Sequence, residues 1–271
     1  TELWRHEPAL EHVGLSNMRG LSWWEGVDRA GQADRRLFFT TGHFLTALDA
    51  ATGAVITGFG DGGRVDLREG LGRDPSRVSI NAPSPGVVFE DLIIMGSAVT
   101  ETAGAAPGDI RAYDVRTGAL TWTFHTIPHP GDTGYDTWPP GAWQSAGGAN
   151  AWAGMSVDAR RGVVYVPNGS PTPDFDGSRR HGSNLFGNSI IALDARTGKR
   201  LWHFQAVHHD LWDRDLSSAP TLATIAGEGG ARDLVVQASK QGVLYVLDRE
   251  TGVPVFPIEE VPVPASDVPG E

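Results

Sequence analysis

A template that recurs four times in 271 residues restricts this chain more than any other feature. An alternating apolar strand ends in Asp, a Thr-Gly pair follows, and a second strand begins. The copies are Leu45 to Asp49 with Thr52-Gly53, Ile110 to Asp114 with Thr117-Gly118, Ile191 to Asp194 with Thr197-Gly198, and Leu244 to Asp248 with Thr251-Gly252. Alternation with period two is the pattern of a half-buried strand, and the glycine supplies the positive φ of a tight turn, so each unit is a β-hairpin. Trp122 and Trp202 each follow their glycine by four residues, where an indole can cap the interface between neighbouring sheets.

Successive repeat aspartates stand 65, 80 and 54 residues apart. A bare four-stranded blade needs roughly 40–45 residues, so long loops are inserted between strands, and function is expected on them. Radial repetition of small antiparallel sheets predicts an all-β chain folded as a β-propeller; the alternative is a β-sandwich with fortuitously similar hairpins. Composition agrees, because 35 glycines, 18 prolines and 9 tryptophans suit a turn-rich β protein with a sizeable core. No long amphipathic helical pattern is present, and no run reaches the ~18 consecutive apolar residues of a membrane span. A formal charge of −11 argues against nucleic acid as a partner, since phosphate binding needs clustered Lys and Arg. With no cysteine, disulfides and thiolate sites are excluded.

One segment stands apart from the repeat. Val-His-His-Asp-Leu-Trp-Asp-Arg-Asp, residues 207 to 215, crowds acids and imidazoles beside an indole just after a strand. Together with Ser-Ile-Ile-Ala-Leu-Asp-Ala-Arg-Thr-Gly-Lys-Arg-Leu-Trp (189 to 202) and Ala-Ser-Lys-Gln-Gly-Val-Leu-Tyr-Val-Leu-Asp-Arg (238 to 249), it resembles the pyrroloquinoline-quinone (PQQ) dehydrogenases, most closely the membrane-bound glucose and quinate branch. The family's propeller has eight blades. The chain starts in mid-pattern at Thr1-Glu2-Leu3-Trp4 and stops at Pro269-Gly270-Glu271, so residues 1–271 are expected to be a partial PQQ-dehydrogenase propeller domain of about four to five blades, roughly half the ring. An open ring exposes two blade faces, a hazard for aggregation. The resemblance also implies a periplasmic location, with membrane association only through segments absent from this chain.

The resemblance carries specific residues. A dehydrogenase that moves hydride from an alcohol carbon to a quinone needs a base for the hydroxyl proton. In the family that base is the aspartate after tryptophan in His-Asp-x-Trp-Asp, here Asp213, with Asp210 and Asp215 beside it. Lys240 matches the cation at the quinone oxygens, where it stabilises developing negative charge. Arg19, in Asn17-Met-Arg-Gly, matches a guanidinium that pairs a PQQ carboxylate. Trp152 matches the indole on which the planar cofactor stacks, and the preceding Gly147-Gly148 reads as a ligand-facing loop. Where many relatives carry a Thr that reaches a cofactor carboxylate this chain has Pro83, and adjacent Ser84 is the substitute. The resemblance also implies Ca2+ or Mg2+, which take hard oxygen donors. Glu101 stands at the family's acid ligand, Thr172 and Ser170 stand at its second ligand position, and Asn168 is a further donor nearby.

Two departures and two alternatives accompany these expectations. The cysteine pair or histidine that covers the quinone in relatives has no counterpart, since His12 is displaced from that place. His208 and His209 are read as structural or pocket-wall residues, because adjacent residues on an extended strand face opposite ways and share no ion. A non-catalytic scaffold propeller uses the same hairpin repeat. A glycosidase would draw paired carboxylates from Asp210 to Asp215, and needs a partner acid at about 5–10 Å. The expected substrate is a sugar or polyol, an aldose such as glucose first and a cyclic polyol such as quinate next, with a quinone-type electron acceptor.

Overall fold

The computed structural model describes residues 1–8, 18–227 and 230–271. Four antiparallel sheets follow one another along the chain. The first contains β1 (Ser22–Val27), β2 (Ala33–Thr41), β3 (Phe44–Asp49) and β4 (Arg64–Asp66), and a two-stranded ladder of β5 (Ile80–Asn81) with β8 (Ala98–Val99) lies next in sequence. The second sheet contains β6 (Val87–Phe89), β7 (Leu92–Met95), β9 (Ile110–Asp114) and β10 (Leu120–Phe124). After it, β11 (Gly147–Gly148) pairs with β14 (Pro171–Thr172). The third contains β12 (Ser156–Asp158), β13 (Val163–Pro167), β15 (Ser189–Asp194) and β16 (Arg200–Gln205); the fourth, β17 (Thr221–Gly227), β18 (Gly230–Ala238) and β19 (Leu244–Asp248). Each sheet is an up-and-down meander, the expected β-propeller architecture. Among the described residues no helix is long and apolar enough to cross a membrane.

The four repeats adopt one local structure. Asp49, Asp114, Asp194 and Asp248 each accept, on one carboxylate oxygen, the backbone N–H and the hydroxyl of the threonine three residues on, at 2.7–2.9 Å. Each also accepts, on its carbonyl, the N–H of the following glycine at 2.8 Å. Gly53, Gly118, Gly198 and Gly252 have φ of 73°, 73°, 70° and 73°. The aspartate therefore closes the turn as an acceptor while glycine takes the left-handed conformation that other residues resist.

The same glycines seat neighbouring sheets. Trp122 of β10 lies over Gly198 and donates its indole N–H to the Ala195 carbonyl at 3.2 Å; Trp202 of β16 lies over Gly252 and donates to the Arg249 carbonyl at 3.2 Å. Trp4 does the same over Gly53, with its N–H on the Ala50 carbonyl at 3.1 Å. At Gly118 the backbone of Gly60 and the side chain of Val65 take the indole's place. Apolar cores fill the seams: Phe38, Leu45, Ile93 and Tyr113 between the first two sheets, Ile94, Ala112, Val164 and Ile191 between the second and third, and Tyr165, Ala192, Val235 and Leu247 between the third and fourth.

A Cβ at Gly198 would overlap the Trp122 ring, whereas one at Gly31, also at positive φ, would meet nothing. Gly31→Ala is therefore expected to cost only the ~1–2 kcal/mol of left-handed backbone. Gly198→Ala adds overpacking, for a total of about 2–5 kcal/mol. The difference in urea midpoints between the two variants measures the indole seat, and equal midpoints would show that the seat contributes nothing.

The meander also sorts the loops. Strand direction reverses at every turn, so the entry to a sheet's first strand and the connection between its second and third strands lie at one end, and the Thr-Gly turns lie at the other. Arg19, Ser84, Trp152, Asp213 and Asp215 all lie in entry segments. Glu101, Thr172, Asp174 and Lys240 all lie in connections between second and third strands. Residues spread over 222 positions of the chain thus share one end of the fold.

Candidate active site

Lys240 is the hub of that end. Its ammonium donates to both carboxylate oxygens of Asp213 at 2.7 Å and forms an ion pair with Asp215 at 2.9 Å. Asp215 accepts the Trp152 indole N–H at 2.9 Å and the Ser170 backbone N–H at 2.7 Å. The plane of Trp152 is thereby fixed by a side chain 63 residues away. Two cations lie over that indole, with the Arg19 guanidinium carbon 5.2 Å and the Lys240 ammonium 5.8 Å from its centroid. Arg19 also donates to the Ser84 hydroxyl and to the Trp152 carbonyl, both at 3.4 Å, and Ser84 donates to that carbonyl at 2.7 Å. Arg19, Ser84, Trp152, Asp213, Asp215 and Lys240 therefore form one connected constellation.

The acids feel one another. Burial pushes Asp213 up, its paired Lys240 pulls it down, and Asp215 adds to the upward push, leaving its carboxyl above the ordinary carboxylate range. Asp213 holds φ +53°, a left-handed conformation rarely kept by a non-glycine residue without support. The Lys240 ammonium is pulled down by burial, but Asp213 and Asp215 outweigh that and hold it above its usual value. Asp174, which sequence reasoning passed over, is 4 % exposed and its carboxyl is raised to about 7 by burial first and then by the negative charges of Asp213, Glu101 and Asp215.

Several expected donors take particular places. Among the described residues, the buried Thr172 hydroxyl oxygen and the buried Asn168 carboxamide oxygen have no hydrogen-bond partner. Glu101 is exposed and lies within electrostatic range of Asp174. The Ser170 hydroxyl, in contrast, donates to Asp210 at 2.6 Å, so it serves that carboxylate. Gly147 and Gly148 are buried, and a Cβ on either would strike protein backbone, at Ala105 for the first and at Ser170 and Thr172 for the second. Their small size serves strand packing, which corrects the expectation of a ligand-facing glycine loop. His208 faces Glu260, whereas His209 bonds the Gly182 carbonyl. His12 lies outside the described residues.

The arrangement suits proton abstraction beside a stacked planar group. Asp213 is a half-shielded carboxylate with its pKa displaced toward neutrality and a fixed cation at hand, which is the environment of a general base. Asp213 and Asp215 both pair with the one Lys240 ammonium, which offsets part of the negative charge they bring together.

Comparison with known proteins gives a consistent answer. The PQQ family model described as glucose/ethanol/alcohol dehydrogenase, beta-propeller domain, matches residues 1–271. The chain is 38% identical over 231 residues to a quinate/shikimate dehydrogenase (quinone) of Acinetobacter baylyi, covering 84% of this chain and 28% of that protein. It is 34% identical over 286 residues to a quinoprotein glucose dehydrogenase of Gluconobacter oxydans, covering 99% of this chain and 35% of that protein. Among solved structures, the quinohemoprotein alcohol dehydrogenase of Comamonas testosteroni superposes with a TM-score of 0.77 at 29% identity, over 96% of this chain and 39% of the other. The chain thus spans about a third of the length of the curated relatives it matches.

Proposed function

This chain belongs to the PQQ glucose/ethanol/alcohol dehydrogenase β-propeller family, and from that premise we propose that residues 1–271 form part of an eight-bladed ring that oxidises a hydroxyl group of a sugar or polyol. The observation that carries the proposal is the Lys240 ammonium shared by Asp213 and Asp215, with Asp215 also pinning the Trp152 indole. Asp213 takes the substrate hydroxyl proton on its carboxylate. Lys240 and Arg19 supply positive charge for a tricarboxylate cofactor, Trp152 a flat apolar face, and Ser84 a hydroxyl. When bound, PQQ supplies the ortho-quinone that accepts the hydride.

The donor set also fits a hard divalent cation, Ca2+ or Mg2+. Among the described residues Thr172 presents a buried oxygen without a partner, and Glu101 and Asp174 gather negative charge that Lys240 and Arg180 offset only in part. Thr172, Glu101 and Asp174 would hold the ion, which supplies positive charge beside the cofactor. Glu101→Gln is therefore expected to weaken the ion, with the lost turnover restored as added calcium or magnesium is raised, as mass action requires. A loss that no metal concentration restores would remove Glu101 from the ligand set.

Aldoses such as glucose, placed first by the branch resemblance, and cyclic polyols such as quinate, placed next, are both proposed, since relatives of both names match at comparable identity. A quinone acceptor is proposed because the quinate/shikimate relative is named for one, and a periplasmic location is proposed from the family resemblance alone. The test is to reconstitute the full-length protein with PQQ and calcium or magnesium and assay glucose and quinate with a dye acceptor. Turnover of neither, together with no PQQ bound, would favour a scaffold propeller instead.

A further inference from the structure

Asp210 is a buried carboxylate, 2 % exposed, three residues before Asp213. One of its oxygens accepts the backbone N–H of Trp212 at 2.9 Å, and the other accepts that of Arg214 at 2.6 Å. Those two amides bracket Asp213, the residue held at φ +53°. The second oxygen also receives the Ser170 hydroxyl at 2.6 Å and the Asn188 amide at 2.9 Å, and Asn188 further donates to the Ser170 hydroxyl at 3.1 Å. Arg180, 2 % exposed, holds the Asp210 carbonyl at 2.6 Å. Four donors converge on one side chain, a demand that only an acceptor-only group satisfies in full. Ser170 extends the clamp, because its own N–H holds Asp215 at the far end of the same loop.

We propose that Asp210 is a positioning residue that acts through the backbone of its neighbours to keep the Asp213 carboxylate against Lys240. The inference rests on Asp213 being the base. A left-handed non-glycine residue relaxes toward right-handed backbone when its supports go, and that rotation carries the side chain away from its partner. Asparagine at 210 keeps the shape but turns an N–H2 toward one of the bracketing amides, so donor faces donor.

The test uses the full-length enzyme with PQQ and calcium. Asp210→Asn and Ser170→Ala are each made alone and with Asp213→Asn, and amide hydrogen exchange is followed at Trp212 and Arg214. Asp210→Asn is expected to lower kcat by roughly 10²-fold, the effect of a small misplacement of a reacting group, with KM and PQQ binding nearly unchanged. Ser170→Ala, a milder change that guards against misfolding, is expected to lower kcat by roughly three- to tenfold. In the Asp213→Asn background neither adds a further loss, because the group being positioned is gone. Exchange at the two amides rises in Asp210→Asn. A kcat near wild type, an additive loss without Asp213, or unchanged exchange would each overturn the inference. If the wild-type enzyme turns over nothing, the functional proposal fails and exchange alone decides the clamp: faster exchange upholds it and unchanged exchange rejects it.

Discussion

Asp213→Asn is expected to lower turnover of the complete enzyme by roughly 10²–10⁴, the usual contribution of a positioned base, while PQQ binding survives. Asparagine preserves the volume and can still accept from Lys240 on its remaining oxygen, so the loop keeps its place. What disappears is the capacity to take a proton. Metal is not expected to rescue this variant, which separates it from Glu101→Gln. Steady-state kinetics with PQQ absorbance as the binding readout checks the expectation; rescue of Asp213→Asn by added calcium would show that the two carboxylates have exchanged roles.

Lys240→Met should have an effect of similar size by a different route. Methionine keeps the length of the side chain but leaves Asp213 and Asp215 facing each other without a cation. Loss of one preorganised electrostatic stabiliser is expected to lower kcat by roughly 10²–10³. The pH profile carries the sharper signature. Burial and Asp215 already push the Asp213 carboxyl up, and Lys240 is the group that pulls it back. Removing Lys240 therefore raises the Asp213 pKa further, and because the base must be deprotonated to act, the acid limb of kcat/KM moves to higher pH. An unmoved or lowered limb would mean that the two side chains are not coupled during turnover.

Some of this site was legible in the sequence through its family resemblance and some was not. Asp213 and Lys240 stood out by resemblance, and the alternation of strand direction then places them at one end together with Arg19 and Trp152. Asp174 carried no local signal. Its raised carboxyl arises from burial and from charges contributed by segments more than 35 residues away on either side, Glu101 and Asp213 among them. Ser170 was expected to offer its hydroxyl to a metal, but in the folded chain that hydroxyl meets Asp210, a partner 40 residues distant. Gly147-Gly148 suggested a ligand because tight glycine pairs often face one; the space their missing side chains leave is filled by protein backbone.

The hairpin units were determined by sequence because their interactions are local: the aspartate, threonine and glycine of each turn bond within four residues, so the pattern and the structure are the same fact. Trp122 and Trp202 were readable as seam residues for the same reason, each at a constant distance from its own turn, although the glycine each one covers belongs to the next sheet. Trp4, which precedes the first complete repeat, had no such reference point. The active-site contacts belong to the tertiary structure. Lys240 with Asp213, Trp152 with Asp215, and Asp210 with Ser170 join residues 27, 63 and 40 positions apart, and no periodicity encodes those distances. They are set by how far each inserted loop reaches once the sheets have packed, a geometry that the rigid seams impose and the loop sequences do not contain by themselves.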